Sequence, residues 1–290
     1  MKFGVVYPQT ELAGDAAAVG KFAKAVEQQG FDHLLMYDHV LGAEQSRRDP
    51  PLLGPYGHED PFHDPLVTFG YLAALTKRIE LVTGLLVLGQ RQSVLVARQA
   101  ADVELFSSGR LRLGVGVGWN YVEYEALGVD FRSRGQLMDE QIELLRRLWQ
   151  EPLVQFDGSY HRVERAALCP RPAATIPIWV GGFSEPAFVR GAHHGDGFIF
   201  AGDLEPNITA LARVRELLRH ANRPTEGFGL ELVMSRAHAP EVARRTAERW
   251  AELGGTHVSA TTMGLGLDGV EAHVDYVHAV SSALKVDRRA

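Results

Sequence analysis

Two residues able to exchange protons follow a short apolar run near the start of the chain. The run His33–Asp38 has the composition of a buried strand, and His39 comes directly after it. Imidazole titrates near neutral pH, so His39 is a candidate to give or take a proton during a reaction. Asp38 is a candidate to fix the tautomer of His39 or to hydrogen-bond a bound ring system. A structural role for a lone histidine is the alternative.

A run of alternating glycines, RLRLGVGVGWN, occupies Arg110–Asn120. Within it, Gly114, Gly116 and Gly118 remove side chains from one face of a strand end, so a flat ligand or another backbone can approach closely. In the common dinucleotide-binding turn a third glycine eases the packing of a helix, whereas here Trp119 occupies that position. The pattern therefore indicates either a ligand site of another kind or a tight barrel corner without a ligand.

A third candidate site is the segment Gly181–Ser184, which contains Gly182 and Phe183. Ser184 and Pro186 predict the start of a helix. Two adjacent glycines leave backbone N–H groups accessible at this start, where the helix dipole favours an anion. The segment is therefore predicted to bind a phosphate group, and a plain capped turn is the alternative.

These candidates must be positioned by the secondary structure, and the sequence predicts eight strand and helix pairs. Runs rich in Val, Ile and Leu without polar alternation are typical of parallel strands buried on both faces. Asp64-Pro65 predicts an N-cap followed by proline, and after the glycine run the next helix is expected only near Gly135. Eight such units favour a (β/α)8 barrel over a doubly wound sheet. The predicted strands are Lys2–Tyr7, His33–Asp38, Ile79–Leu88, Leu111–Val117, Ile176–Gly181, Gly197–Ala201, Gly229–Ser235 and His257–Thr262.

Two segments are longer than a barrel needs. Leu41–His63, rich in proline, glycine, charge and aromatic residues, follows strand 2. Glu151–Thr175 precedes strand 5 and contains a predicted hairpin around Asp157-Gly158. Active sites of these barrels form at the carboxyl ends of the strands, so the first insertion is predicted to be a substrate lid. Its histidine and acidic residues are irregularly spaced, and no metal site is predicted.

The composition narrows the class of protein. With a net charge of -6 and a pI near 6.1, the 290-residue chain has no basic field for holding nucleic acid. Its one cysteine, Cys169, excludes an internal disulfide framework and is typical of a reducing cytoplasm. No apolar run reaches the roughly 18 residues needed to span a bilayer. We therefore expect a cytoplasmic protein that acts on a small molecule.

Five short motifs follow one another along the chain. They are Asp38-His39, Thr83-Gly84-Leu85, GVGVGWNYVEYEALGVDFRSRG at Gly114–Gly135, Asp139-Glu140, and Trp179–Gly182 with Ser184. In this order they resemble the motifs of the bacterial luciferase-like monooxygenase superfamily, and within it the branch that uses the deazaflavin coenzyme F420. The resemblance extends from Phe3 to about Ala283, and the order of the motifs is specific, whereas each motif alone is weak.

The resemblance implies a barrel, a homodimer and a flavin-type tricycle across the carboxyl ends of the strands. It assigns proton transfer to His39 and a non-proline cis peptide to Gly84-Leu85, for which a strand bulge is the alternative. Trp119 and Asn120 would line the path of the phosphate-bearing tail, although packing of the indole is the alternative. The residues implied to bind the cofactor are Asp38, His39, Gly84, Leu85, Gly116, Gly118, Trp119, Asn120, Gly181, Gly182, Phe183 and Ser184.

The predicted function is an F420-dependent oxidoreductase that exchanges a hydride between F420 and a small organic substrate. Related sugar-phosphate dehydrogenases carry a glutamate where this chain has Trp119, so the substrate is predicted to be apolar or aromatic. The first alternative is an FMN-dependent monooxygenase, in which reduced flavin activates oxygen. The second is a catalytically silent flavin-binding protein, against which the intact Asp38-His39 pair and the insertion after strand 2 argue.

Overall fold

Eight parallel strands close into a barrel in the computed structural model, which describes residues 1–12, 14–236 and 239–286. The first strand, Lys2–Val6, pairs with the second and with the last, and the third pairs with the fourth, which closes the ring and confirms the predicted (β/α)8 barrel. In chain order, β1 to β8 are Lys2–Val6, His33–Met36, Glu80–Thr83, Leu111–Gly116, Ile178–Gly181, Gly197–Ala201, Gly229–Val233 and His257–Thr261.

Helices alternate with these strands around the outside of the barrel. At the start of the helix Pro65–Leu75, the Asp64 carboxylate accepts the amide of Val67 at 2.9 Å, which confirms the predicted N-cap. The outer helices α1 to α8 are Ala16–Gln28, Pro65–Leu75, Ser93–Ser107, Arg134–Gln150, Glu185–His194, Leu204–His220, Pro240–Glu252 and Gly269–Leu284. Two short helices, Gln9–Leu12 and Tyr121–Ala126, and a 3-10 turn at Leu88–Gln90 lie in the loops.

The short helix Tyr121–Ala126 was not expected, because the sequence predicted the next helix only near Gly135. It begins where the side chain of Asn120 accepts the amide of Val122 at 3.1 Å, an N-cap that satisfies one free amide of the first turn. Only six residues long, this helix has too few turns to show a periodic apolar face. It carries a buried glutamate, Glu123, to the carboxyl ends of the strands.

The predicted strand Ile79–Leu88 is divided in the structure. β3 ends at Thr83, and a two-residue strand, Leu86–Val87, pairs separately with the end of β4. The Gly84–Leu85 peptide between them is cis, as the resemblance implied.

Side chains inside the barrel form two layers that follow the alternation of the strands. The polar layer contains an ion network in which Glu231 meets His33 at 2.7 Å and Arg112 at 2.5 Å. Further along six of the eight strands, towards the carboxyl ends that form the barrel mouth, the inward side chains are apolar. This second layer consists of Val6, Leu35, Val82, Trp179, Ile199 and Val233.

Both insertions lie where the sequence predicts them. The first joins β2 to α2 and has no helix or strand between residues 41 and 63. The second contains an antiparallel hairpin of Val154–Asp157 and Arg162–Ala166, which confirms the turn predicted at Asp157-Gly158.

Candidate functional site at the barrel mouth

His39 is held by a buried carboxylate at the carboxyl end of β2. Its Nδ1 lies 3.3 Å from Oε1 of Glu123, whose side chain is only 1% exposed. The same oxygen accepts the backbone amides that follow His39, those of residues 40 and 41, at 2.7 and 3.0 Å. A carboxylate is an acceptor only, so this contact favours a proton on Nδ1. Nε2 then keeps its lone pair and has no hydrogen-bond partner among the residues that the structure describes.

Asp38 makes different contacts from those expected. Its buried carboxylate binds Arg91 through both oxygens, at 2.5 and 3.2 Å, and accepts the amide of Val87 at 2.9 Å. Burial raises the pKa of Asp38, and the Arg91 guanidinium opposes that rise. The group that faces His39 is therefore Glu123, while Asp38 fastens β2 to the segment after β3.

Three aromatic rings surround the imidazole of His39 in edge-on contacts. The ring centroids of Phe62, Tyr56 and Trp119 lie 4.8, 5.4 and 5.6 Å from that of His39. Phe62 and Tyr56 belong to the first insertion. The ring centroid of Tyr56 also lies 6.4 Å from that of Tyr37, which follows β2. The imidazole of His39 therefore lies in an aromatic environment that excludes bulk water from most of its surface.

Specific contacts hold the first insertion together and attach it to the loop that follows β4. Gln45 donates to the carbonyls of Gly54 and Tyr56 at 3.1 and 2.8 Å. Gly54 packs against the indole of Trp119 so closely that a Cβ at this position would lie 2.2 Å from the ring. The hydroxyl of Tyr121 donates to the insertion at residue 50, over 2.7 Å. The insertion predicted to be a lid is thus folded against the loop that follows β4, and its position depends on that loop.

The glycines at the strand ends make room for protein atoms. Cβ atoms added at Gly116 and Gly181 would lie 2.6 and 2.8 Å from the Leu85 side chain, and one added at Gly118 would meet Val87 at 2.7 Å. Leu85 therefore fills the space that the alternating glycines leave. Leu85 is half-buried and packs on the second, apolar layer of the barrel, as do Tyr37, Ala201 and Met263. Together these four side chains form an apolar floor at the mouth.

The turn between β5 and α5 has the features expected of an anion site. Gly182 has a φ of +147°, in the region that favours glycine. Phe183 is 81% exposed, and the Ser184 hydroxyl makes no capping bond within the described chain. Glu185 in the first helical turn is paired with Arg213, which offsets its negative charge near this end of the helix.

Asn120 has structural contacts that the sequence did not predict. It is 2% exposed, and besides capping the short helix it donates to the carbonyl of Leu41 at 3.2 Å. Its role in the structure is to attach the insertion to the β4 loop. Sequence reasoning missed Glu123 and Arg91, and it recognised Tyr56 and Phe62 only as part of an aromatic-rich insertion.

A parallel (β/α)8 barrel with a carboxylate-held histidine, an apolar floor and an aromatic wall at its mouth defines a class of barrel enzymes that act on small molecules. Residues 1–282 match the luciferase-like monooxygenase family, and the chain belongs to that family. It is an oxidoreductase family. No helix in the described ranges has both the length and the apolar character required to cross a membrane.

Relatives of the chain carry two kinds of activity in their names. An F420-dependent glucose-6-phosphate dehydrogenase of Kineococcus radiotolerans is 30% identical over 244 residues, 80% of this chain and 68% of that one. A pyrimidine monooxygenase, RutA of Allorhizobium ampelinum, is 31% identical over 174 residues, 57% of this chain and 47% of that one. The structure of an F420-dependent secondary alcohol dehydrogenase superposes with a TM-score of 0.76 at 16% identity, covering 98% of both chains.

Proposed function

We propose that the chain is an F420-dependent oxidoreductase that transfers a hydride between F420 and a small apolar or aromatic substrate. The observation that carries the proposal is the contact of His39 with Glu123, which presents Nε2 at the mouth as a proton donor or acceptor. When bound, F420 supplies the hydride acceptor or donor. The 30% identity to an F420-dependent dehydrogenase over most of the chain supports this choice of coenzyme.

The residues at the mouth fit a planar ring system with a phosphate-bearing tail. The floor formed by Leu85, Tyr37 and Met263 is apolar and suits the face of a tricycle. The amides of the Gly182 turn and the free hydroxyl of Ser184 suit a phosphate, because they lie at the start of α5.

His39 is assigned the proton transfer that accompanies hydride movement. With Nδ1 bonded to Glu123, Nε2 takes a proton from a substrate hydroxyl during oxidation or returns one during reduction. Tyr56, Phe62 and Trp119 form the wall beside it, so the substrate is an apolar or aromatic molecule with one polar reacting group. The cover formed by the first insertion keeps water from the reaction.

Fluorescence titration of the purified protein with F420 and with FMN tests the coenzyme. We expect F420 to bind more tightly than FMN. Binding of FMN without measurable F420 binding would favour the flavin monooxygenase, for which the similarity to pyrimidine monooxygenase RutA is the supporting observation. Failure to bind either coenzyme would overturn both assignments, and F420 binding without turnover of any alcohol or carbonyl compound would favour a silent binding protein.

We also propose that the chain forms a homodimer through α2. This helix, PLVTFGYLAAL, has no charged side chain, yet Val67 and Tyr71 on one face are 70% and 48% exposed. On the neighbouring α3, Phe106 is 69% exposed. A second copy of this surface would cover such an apolar patch. The double substitution Val67→Glu, Tyr71→Glu should give a monomer in light scattering, with Lys24→Glu as a control, and a monomeric parent would contradict the proposal.

The exposed, unpaired Cys169 is consistent with a cytoplasmic location, which we retain as part of the proposal.

A further inference from the structure

A serine, a histidine and a glutamate from two outer helices and the hairpin form a continuous hydrogen-bonded row. Oγ of Ser93 lies 2.6 Å from Nε2 of His161, and Nδ1 of the same imidazole lies 2.8 Å from Oε1 of Glu140. The three residues come from α3, from the turn of the hairpin and from α4. None of them contacts His39 or its aromatic wall.

Glu140 is the orienting member of the row. Its carboxylate accepts the backbone amides of residues 159, 160 and 161 at 2.5, 2.9 and 2.7 Å, in addition to the imidazole. A Cβ at Gly158 would lie 2.4 Å from its carboxyl carbon, so the hairpin turn is built closely around this group. Burial raises the pKa of Glu140, but these hydrogen bonds outweigh it and lower the pKa below its ordinary value. An ionised Glu140 holds the proton of His161 on Nδ1 and leaves Nε2 to accept the hydroxyl proton of Ser93.

Ser93 is the first residue of α3, a helix of 15 residues. The amides of Val94 and Leu95 belong to the first helical turn and have no partner within the helix. Such amides beside a nucleophile stabilise a developing oxyanion. Ser93 and His161 both border a mainly apolar cleft of about 590 Å³, together with Gln92, Val94, Leu95 and Arg98.

We propose that Ser93, His161 and Glu140 form a second active site that hydrolyses esters of small apolar carboxylic acids. The Ser93 oxygen bonds to the ester carbonyl carbon while His161 Nε2 takes the hydroxyl proton. The ester C–O bond then breaks and the alcohol leaves with that proton. Water attacks the acylated Ser93, gives its proton to His161, and releases the carboxylic acid as Ser93 regains its own proton. This chemistry needs only water as co-reactant.

The whole protein should react with a fluorophosphonate probe at Ser93. Trypsin cleaves after Arg91 and Arg98, so the adduct is expected on the peptide Gln92–Arg98, in which Ser93 is the only hydroxyl residue. Mass spectrometry of this peptide requires no variant. An unlabelled peptide after prolonged exposure to the probe would overturn the proposal.

Hydrolysis of p-nitrophenyl butyrate gives the second measurement. Ser93→Ala should lower kcat by at least about 100-fold, and Glu140→Gln should lower it with little change in KM. Ser282→Ala, on the exposed face of α8, serves as the control, and F420 binding by Ser93→Ala checks that the barrel is intact. If Ser93→Ala and the parent hydrolyse p-nitrophenyl butyrate with the same kcat, the hydrogen-bonded row has a structural role only, and the proposal is wrong.

Discussion

Nδ1 of His39 and Oε1 of Glu123 lie 3.3 Å apart, although 84 residues separate them in the chain. The contact joins the end of β2 to the short helix after β4. Because the same Glu123 oxygen accepts the amides of Val40 and Leu41, one carboxylate orients the imidazole and also holds the start of the first insertion. The orientation of the His39 imidazole and the position of the start of the insertion thus both depend on a single side chain.

Replacement of His39 by alanine should slow catalysis without a comparable loss of coenzyme binding. A positioned acid or base contributes about 10²- to 10⁴-fold, so turnover should fall by that factor. Single-turnover absorbance of bound deazaflavin measures the hydride step, and fluorescence titration measures coenzyme affinity. A normal hydride-transfer rate in His39→Ala would remove this residue from the mechanism.

Glu123→Gln should separate the positioning role from the proton transfer itself. The amide oxygen can still accept the backbone amides, but an NH₂ group in place of the second oxygen weakens the hold on Nδ1–H. In other enzymes, loss of the correct imidazole tautomer lowers kcat strongly, so we expect turnover to fall by about 10²-fold or more. Nitrogen chemical shifts of His39 should change from one dominant tautomer to a mixture.

The matched control for this substitution is Glu125→Gln, two residues further along the same short helix. Glu125 is exposed and should affect neither turnover nor the imidazole shifts. If Glu123→Gln retains both parental turnover and the parental tautomer, the contact is structural only.

These two glutamates show where sequence reasoning ends. Local signals predicted the barrel well, because buried parallel strands, the Asp64 cap and the Asp157-Gly158 turn each depend on neighbouring residues. Nothing local distinguishes Glu123 from Glu125, since burial of the former depends on packing against β2. For the same reason the sequence left open whether a ligand or protein atoms approach the alternating glycines, and only the structure shows the Leu85 side chain next to Gly116 and Gly181.

Substitutions at Gly182 should test the anion site. Its φ of +147° and the Ala187 Cβ, 2.8 Å from an added Cβ, mean that any side chain strains this turn. Gly182→Asp must therefore be compared with Gly182→Ala, which carries the backbone cost without the charge. If the turn binds the cofactor phosphate, Gly182→Asp should bind F420 more weakly than Gly182→Ala by at least about tenfold, as expected for a like charge at an anion site. Equal affinities of the two variants would place the phosphate elsewhere.

Glu231 in the polar layer should make the barrel sensitive to acid. Burial would raise the pKa of Glu231, but Arg112 and His33 hold it well below its ordinary value of 4.5. A carboxylate with a lowered folded-state pKa stabilises the protein fully above that ordinary value, and this stability is lost as the pH falls towards the folded-state pKa. The free energy of unfolding, measured in urea, should therefore decrease as the pH falls below about 4.5.

Glu231→Gln should destabilise the barrel at pH 7 by about 3 to 5 kcal/mol, because it leaves Arg112 with a buried charge that has lost its closest partner. The variant should also show a smaller decrease in unfolding free energy below pH 4.5 than the parent. Glu80 meets the same arginine at 3.0 Å, but its side chain is 26% exposed, so Glu80→Gln should cost about 1 kcal/mol or less. Equal effects of the two substitutions, or an unchanged acid dependence in Glu231→Gln, would show that the network does not govern acid stability.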